Sequence, residues 1–461
     1  MVTANAGTGL DLKQFVPLLP VAAVFGRCVW PLCLAAVRRW AMRSNTARPF
    51  DLIVFGATGF TGRLVAEYLL QAYGAGGSPG APRWAMAGRS AAKLADVRQQ
   101  IGAPEGLPLI TADADDAAAL AALVRQTRAV ISTVGPYQRH GRALVTACAE
   151  GGTDYVDLCG EPAWMAQMIP RLQGPAAASG ARIVFSCGFD SIPFDLGVLF
   201  LQHEAQRRLG APLAQVHGRV RAMRGGMSGG TVASALATFE QASRDPAIAQ
   251  LMADPFALTP GFCGPAQPDG ETAAFDDLAQ AWTGPFVMAT INTKNVHRSN
   301  ALRGHPWGRD FQYDERLITG KGLQGRLAAL ALAATARAQG LLLGFGPSRR
   351  LLQKVALPKP GEGPDAKARL TSRYDLRFYG RAADGRVLQA SVKGDRDPGY
   401  GSTSKMISEA ALCLVQDVGR NATPGGVWTP GAAMGLALVR RLEAHAGLRF
   451  AIEGANAPPP L

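Results

Sequence analysis

The stretch FGATGFTGRLVAEYLL, residues 55–70, places three glycines three residues apart, at Gly56, Gly59 and Gly62. The residues before it, FDLIVFG (50–56), form a short apolar run that predicts a buried strand of a parallel sheet. The residues after it carry apolar side chains at helical spacing. The glycines therefore mark a predicted turn between a strand and a helix.

Such a turn is suited to a dinucleotide cofactor. Glycine allows a tight bend and lets a phosphate approach the backbone N–H groups at a helix N-terminus. The predicted phosphate-binding residues are Gly56, Ala57, Thr58, Gly59, Phe60, Thr61 and Gly62.

The segment after the second predicted strand indicates which dinucleotide is bound. An NAD site normally places an acid there to hold the ribose 2′-hydroxyl. This chain has no acid between Glu67 and Asp96, and Arg89 and Ser90 follow the strand. A guanidinium and a hydroxyl suit a 2′-phosphate, and Lys93 lies one helical turn further on. The sequence predicts NADP(H).

Further strand and helix patterns extend this unit to about residue 200. LPLITAD (107–113) predicts a third strand with Asp113 at its carboxyl end, near the expected adenine position. RAVISTVGPY (128–137) predicts a fourth strand and its exit loop. The loop residues expected to line the ligand crevice are Thr133, Val134 and Gly135. The alternation predicts an α/β fold with a Rossmann-type, doubly wound parallel sheet.

The pattern changes from about residue 212. AQVHGRVRAM (214–223), FVMATINTKNVHRSNAL (286–302) and the segment 368–394 alternate apolar and polar residues or carry hairpin turn signals. GGMSGGTVASALATFEQA (225–242) predicts a glycine loop that opens a helix. These patterns predict a second α/β domain with a mixed, mostly antiparallel sheet, and later helices starting near Thr403 and Pro430.

These patterns divide the chain into four predicted regions. They are an N-terminal extension (1–47), an NADP-binding domain (48–200), a substrate domain (201–395) with a basic apolar insertion (317–361), and a C-terminal helical region (396–461).

Composition limits the class of protein. The chain has 461 residues, 48 Lys and Arg against 35 Asp and Glu, and a formal charge of +13, which suits an anionic partner. The seven cysteines include no CxxC pair, so neither a zinc site nor a disulfide framework is indicated. This predicts a reduced, cytoplasmic protein. The apolar residues 14–37 are interrupted by Arg27 and prolines, which leaves open a poorly ordered extension, a peripheral anchor or a span.

The motif series GATGFTG, AGRS, VGPYQRHG, DYVDLCGE, GFDSIPFD and DPGYGSTSKM resembles the saccharopine dehydrogenase-like oxidoreductases. Within that family it is most similar to the branch of the trans-acting enoyl reductases, over about residues 49–440. The resemblance implies a Rossmann domain, a second α/β domain and a C-terminal segment that returns to the first. It does not identify a substrate.

The spacing between tyrosines and lysines excludes one competing class of enzyme. Short-chain dehydrogenases share a glycine turn but use a Tyr with a Lys four residues later, and none of the eight tyrosines here has that partner. No metal cluster is evident from His297 and His305, and no nucleophile motif is present. The chemistry that remains is hydride transfer by the cofactor, and the protein orients the cofactor for it.

Reduction also requires a proton, and the candidate donors lie in predicted loops at the crevice. Tyr137 and Asp190 are the leading candidates as catalytic residues. Others with possible structural roles are His140, Ser191, Asp195, Tyr400 and Lys405, and water is an alternative donor.

Three functions fit these observations. The leading one is an NADPH-dependent reductase acting on a lipid-like or carrier-bound acyl substrate. The second is an NADP-dependent dehydrogenase of a small amino or imino acid, which would need arginines to hold a carboxylate. The third is a non-catalytic, membrane-associated protein that keeps the fold. The oligomeric state is left open, and no nucleic-acid partner is expected.

Residues 317–361 predict contact with an anionic membrane surface. The interval has no acid and seven basic residues: Lys321, Arg326, Arg337, Arg349, Arg350, Lys354 and Lys359. Its apolar part, 327–346, contains Arg337 and Gln339, so an interfacial segment is favoured over a span. Two core helices with charges facing water are the alternative. The expected location is the cytoplasm, with peripheral attachment to the cytoplasmic face of a membrane.

Overall fold

The computed structural model describes residues 48–76, 80–224, 240–344 and 365–454, together with Ser234 and Thr238. Pro49–Leu461 form one compact unit. The expectations for residues 1–47, most of 225–242 and 345–361 lie outside the described residues.

The first sheet has seven strands, all parallel, in the order β13-β6-β5-β4-β1-β2-β3. The order reverses at β1, so the crevice between β1 and β4 is the point where such folds bind a dinucleotide. The strands are β1 (Phe50–Phe55), β2 (Trp84–Gly88), β3 (Leu109–Thr111), β4 (Thr127–Ser132), β5 (Asp154–Asp157), β6 (Arg182–Val184) and β13 (Gly426–Trp428).

Strand β1 explains why helices cover both faces of this sheet. Leu52 and Val54 lie in one buried apolar cluster, whereas Ile53 and Phe55 lie in another on the opposite face. A strand buried on both faces reads as continuous apolar sequence. The predicted doubly wound parallel sheet is confirmed.

The second sheet is mixed, in the order β14-β12-β11-β7-β10-β9-β8. Only its β7–β10 pair is parallel, so the predicted mixed, mostly antiparallel character is confirmed. Its strands are β7 (Leu213–Met223), β8 (Ala274–Asp276), β9 (Ala281–Pro285), β10 (Gln312–Gly320), β11 (Tyr374–Ala382), β12 (Val387–Gly394) and β14 (Leu448–Glu453).

The helices connect and cover these sheets. The described ones are α1 (Phe60–Tyr73), α2 (Ala91–Gln100), α3 (Ala117–Val124), α4 (Tyr137–His140), α5 (Arg142–Gly151), α6 (Pro162–Ser179), α7 (Ile192–Leu209), α8 (Pro246–Ala253), α9 (Ala289–Leu302), α10 (Gly322–Gly344), α11 (Ala366–Thr371), α12 (Thr403–Leu412) and α13 (Pro430–Arg441). Three π-helical turns are Pro398–Ser402, Cys413–Asp417 and Leu442–Ala446.

One strand prediction is wrong. Residues 286–302 were expected to contribute to the second sheet, but Ala289–Leu302 form the helix α9. The polar residues of α9 are buried and bonded: Asn292 donates to Glu315, and Arg298 donates to the carbonyls of Leu258 and Val427. Because these polar side chains face the interior, their alternation with apolar ones does not mark a solvent-exposed strand face.

The C-terminal region contributes strands as well as helices. β13 pairs with β6 at the edge of the first sheet, and β14 pairs with β12 at the edge of the second. The sequence pattern predicts only helices there. α12 and α13 begin at the expected residues, Thr403 and Pro430.

Candidate active site

The glycine turn lies between β1 and α1, at the carboxyl end of the sheet. Gly56 has a φ of +88°, and a Cβ there would lie 2.6 Å from a methyl of Val134. A Cβ on Gly62 would lie 2.1 Å from the carbonyl oxygen of Gly56. Both glycines are therefore required by the turn itself.

Gly59 differs from the other two glycines. It is exposed, its φ of −79° suits any residue, and a Cβ would lie 3.3 Å from its nearest neighbour, the Gly56 carbonyl oxygen. No side chain caps α1 at Gly59, and the first turn of the helix has no acid. The surface above Gly59 thus keeps a bare backbone and a helix N-terminus, which fits a pyrophosphate.

Thr133 fixes the turn to the next strand. Its backbone N–H and its hydroxyl both donate to the Phe55 carbonyl, at 3.0 and 3.1 Å, and the hydroxyl also lies 3.2 Å from the Gly56 carbonyl oxygen. Val134 packs beside Gly56, and Gly135 is exposed in the same loop. The structure thus brings the predicted crevice residues against the glycine turn.

The residues predicted to select NADP(H) follow β2. Arg89 and Lys93 are exposed, and the Ser90 hydroxyl accepts a hydrogen bond from the Lys93 N–H as the N-cap of α2. Asp113 is exposed two residues beyond β3, where it accepts from the Asp115 N–H. Arg89 and Lys93 can therefore meet a 2′-phosphate, while Ser90 also has a capping role.

The remaining turn residues lie around this cradle. Ala57 is fully buried, whereas Thr58 and Thr61 are half-buried. The Phe60 ring meets the Tyr400 ring edge-on, with centroids 5.0 Å apart. The turn Pro398–Ser402 thus reaches the start of α1.

Tyr137 is placed as a structural residue. Its hydroxyl donates to the Ser132 carbonyl and accepts from the Leu158 N–H, both at 3.1 Å, and only 5% of the side chain is exposed. Burial raises the pKa of Tyr137 well above its ordinary value. This geometry disfavours Tyr137 as the proton donor.

Asp190 lies in the loop between β6 and α7, beside the buried Ser191. Loss of hydration raises the pKa of the Asp190 carboxyl to about 6, so a minor fraction of it is protonated near neutral pH. Phe189 of the same loop donates its N–H to the Thr403 hydroxyl at 3.0 Å. One C-terminal segment, Pro398–Thr403, therefore contacts both the glycine turn and the Asp190 loop.

A polar network from α9 and β10 supports this loop. Asn295 donates to the Ser191 hydroxyl at 2.7 Å, and Asn292 lies 3.5 Å from that hydroxyl. Asn292 donates to Glu315 at 2.8 Å, and Tyr313 donates to the other Glu315 oxygen at 2.9 Å. Burial raises the pKa of Glu315 to about 8. Helix α9, which is itself bonded to Glu315 of β10, thus holds Ser191, the residue next to Asp190.

Two acids behind the crevice were missed by the sequence analysis. Glu161 accepts from the N–H groups of Tyr137 and Gln138 and from the Ser234 hydroxyl. Asp157 accepts from two backbone N–H groups and from the Tyr155 hydroxyl, and burial raises its pKa to about 7. Both lie in DYVDLCGE, a motif of the family resemblance whose acids were not among the candidate site residues. Asn292, Asn295 and Glu315 gave no comparable motif signal.

The other candidate proton donors make structural contacts or lie at the surface. Asp195 accepts from the Gly431 N–H at 2.7 Å at the start of α13, and burial raises its pKa to about 6. Lys405 lies 3.5 Å from Asp395, and His140 is exposed at the end of α4.

One group among the described residues has metal-ligand spacing. Single ligand atoms of His217, Asp276 and Asp277 lie within 4.8 Å of one another. Arg219 already contacts Asp276, and Arg381 contacts Asp277, so these cations compete with a metal ion.

The fold, the glycine cradle and the exposed cations after β2 define a dinucleotide-dependent oxidoreductase. A family model for the saccharopine dehydrogenase NADP binding domain matches residues 52–184. The protein is accordingly an NADP-dependent oxidoreductase.

Similar proteins show to which branch of the family this chain belongs. A putative trans-acting enoyl reductase of Mycobacterium tuberculosis is 40% identical over 417 residues, covering 87% of this chain and 96% of that protein. A trans-acting enoyl reductase of Mycobacterium bovis is 38% identical over 417 residues, covering 87% and 97%. The chain belongs to the saccharopine dehydrogenase-like oxidoreductases, in the branch of the trans-acting enoyl reductases.

Among solved structures, the apo saccharopine dehydrogenase (L-Glu forming) of Saccharomyces cerevisiae aligns with a TM-score of 0.48 and 11% identity. The alignment covers 88% of this chain and 100% of that one.

Proposed function

We propose that this protein reduces the carbon–carbon double bond of an enoyl group on a lipid-like or carrier-bound acyl substrate. NADPH held by the glycine turn and Arg89 would supply the hydride for the β-carbon and become NADP⁺. A proton is added to the α-carbon, so that the double bond becomes a single bond.

Asp190 is the proposed source of that proton. A carboxyl whose pKa is about 6 holds a proton on part of the molecules near neutral pH and releases it readily. Its place on the loop after β6, at the carboxyl end of the parallel sheet, is the observation that carries the proposal. Solvent restores the proton after each turnover.

The neighbouring residues position this loop. Asn295 donates to the hydroxyl of Ser191, the residue after Asp190, and Asn292 lies next to that hydroxyl. Thr403 fixes Phe189 from the other side.

The charges near the loop support an acyl group rather than a small acid. Among the described residues, Asp157 accepts from the Ser186 N–H just after β6, and Glu315 accepts from Asn292, which lies beside the Ser191 hydroxyl. The buried Arg298 of α9 donates both of its terminal amino groups to backbone carbonyls, so it is not placed to clamp a carboxylate.

The test is NADPH oxidation with a panel of enoyl thioesters and cyclic imines. We expect turnover with enoyl thioesters and a large loss of kcat in Asp190→Asn. Asp384→Asn, in the exposed β11–β12 turn, is the matched control and should keep the wild-type rate. Turnover with cyclic imines alone would contradict the proposed substrate class.

A further inference from the structure

Helix α10 has an unusual setting in this fold. Among the described residues it contains the one segment, Gly322–Leu343, that is long and apolar enough to cross a membrane by length and composition, yet only 6% of its most apolar window is buried. Its seated face is small: Gly325 accepts from the Thr319 hydroxyl at 2.8 Å, and Ala329 is fully buried. This seat against β9 and β10 is not available to a helix surrounded by lipid, so it argues against a span.

The opposite face of α10 is a second apolar stripe. Leu323, Leu327, Leu330 and Leu341 are 70%, 57%, 49% and 78% exposed. Together with Ala334 and Ala338, they recur at intervals of three and four residues, so they lie along one side of the helix. Contiguous exposed apolar surface of this kind marks an interaction site.

Two aromatic side chains lie at the edge of the sheet on which α10 is seated. Phe275 of β8 pairs across from Trp282 of β9, with ring centroids 5.8 Å apart, and Phe275 is 49% exposed. The guanidinium of Arg326 lies 5.4 Å from the centre of the Trp282 ring. Phe275, Trp282, Leu323, Leu327, Leu330 and Leu341 are named here the α10 surface.

Basic residues border the α10 surface. Lys321, Arg326 and Arg337 are exposed, and the interval 317–361 contains no acid. Nearby acids are engaged elsewhere: Asp276 and Asp277 are paired with Arg219 and Arg381.

One further acid, Asp269, interacts electrostatically with Arg337. It accepts hydrogen bonds from the Glu271 N–H and the Thr272 hydroxyl, so it is anchored on its own loop. Lys321 and Arg326 are the cations at the N-terminal end of the stripe, beside Leu323 and Leu327 in the sequence.

We propose that the α10 surface binds the surface of an anionic lipid membrane, with the helix lying parallel to it. Leucine and aromatic side chains would enter the headgroup boundary while the flanking cations meet anionic headgroups. A second copy of the chain fits less well, because pairing two such helices would bring like charges together with no acid on either helix to compensate. The proposal is independent of the proposed substrate, since it concerns binding and not turnover.

The test is flotation of the full chain with vesicles of phosphatidylglycerol mixed with phosphatidylcholine, compared with phosphatidylcholine alone. We expect flotation with the anionic vesicles at low salt, and a reduction at high salt. Leu327→Gln combined with Leu341→Gln should lower vesicle binding by roughly tenfold or more, as should Arg326→Gln to a smaller extent.

Leu370→Gln and Arg125→Gln are the matched controls, since both residues are exposed and belong to other elements, Leu370 to α11 and Arg125 to the end of α3. NADPH binding by every variant shows that the fold is intact and separates this test from that of the proposed function. Flotation of the double leucine variant equal to wild type, or loss of flotation only on deletion of residues 1–47, would overturn the proposal. Self-association that depends on the leucines, without vesicle binding, would also overturn it.

Discussion

Arg89 is the residue on which cofactor choice depends. It is exposed at the end of β2, in the position where an NAD site has an acid. We expect Arg89→Ala to weaken NADPH binding by about 1–3 kcal/mol, the range for hydrogen bonds to charged groups, and to leave NADH binding nearly unchanged. Fluorescence titration with both cofactors measures this, with Arg125→Ala as the control. Equal losses for the two cofactors would mean that Arg89 does not read the 2′-phosphate.

Alanine substitutions at Gly59 and Gly62 distinguish an effect on cofactor binding from an effect on folding. Adding a methyl group at Gly59 meets only the Gly56 carbonyl oxygen, at 3.3 Å, whereas at Gly62 it would meet the same oxygen at 2.1 Å. Gly59→Ala should therefore keep a near-native melting temperature and lose NADPH affinity by roughly tenfold or more, because the methyl obstructs the phosphate. Gly62→Ala should lower the melting temperature itself. Wild-type NADPH affinity in Gly59→Ala would show that no phosphate approaches this turn.

Asp190 should impose a pH profile on turnover. The proton donor must be protonated, and burial sets the pKa of Asp190 at about 6. We expect kcat to be constant at acidic pH and to fall as pH rises through that value. Asp190→Asn should lower kcat by about a hundredfold or more and remove this limb of the profile. Stopped-flow rates across the pH range provide the measurement, and an unchanged limb in the variant would assign it to another group.

At the scale of elements, Glu315 of β10 is bonded to Asn292 of α9, and its burial predicts how the free energy of unfolding depends on pH. Burial raises the pKa of Glu315 to about 8, so between its ordinary pKa and that value the folded chain holds a proton that the unfolded chain has lost. Stability from this group therefore falls as pH rises through that window.

Thermal melts of Glu315→Gln test this element. Gln can still accept from Asn292 and bond to Tyr313, so the fold should persist, and the melting temperature should fall by fewer degrees between about pH 5 and pH 8 than in wild type. Glu105→Gln, at an exposed position, should leave the wild-type slope unchanged. Identical slopes in all three proteins would mean that Glu315 is ionised throughout.

The elements also show what the sequence can and cannot predict. β1 and α1 were predictable because one is apolar on both faces and the other has a helical period. α9 was not, because its buried polar residues are satisfied by distant partners such as Glu315 and Leu258. β13 was missed because it has only three residues, and β14 because it is defined by its pairing with β12 at the edge of the second sheet.

At the scale of the molecule, contacts between distant segments explain why the cofactor-binding turn was easier to predict than the loop of the proposed proton donor. The cradle is local, since Gly56 to Gly62 form one turn. The Asp190 loop is assembled from Thr403 and from Asn292 and Asn295, more than one hundred residues away along the chain. The sequence makes Tyr137 a candidate proton donor. In the fold, however, its hydroxyl is hydrogen-bonded to the Ser132 carbonyl and the Leu158 N–H.

The central claim is that hydride passes from NADPH to an enoyl carbon at this site. The most direct measurement uses NADPH deuterated at the transferable position, an enoyl thioester and mass analysis of the product. We predict one deuterium per product molecule at the β-carbon, and an α-hydrogen that derives from solvent. Product without deuterium, or NADPH consumption without a saturated acyl product, would contradict the claim.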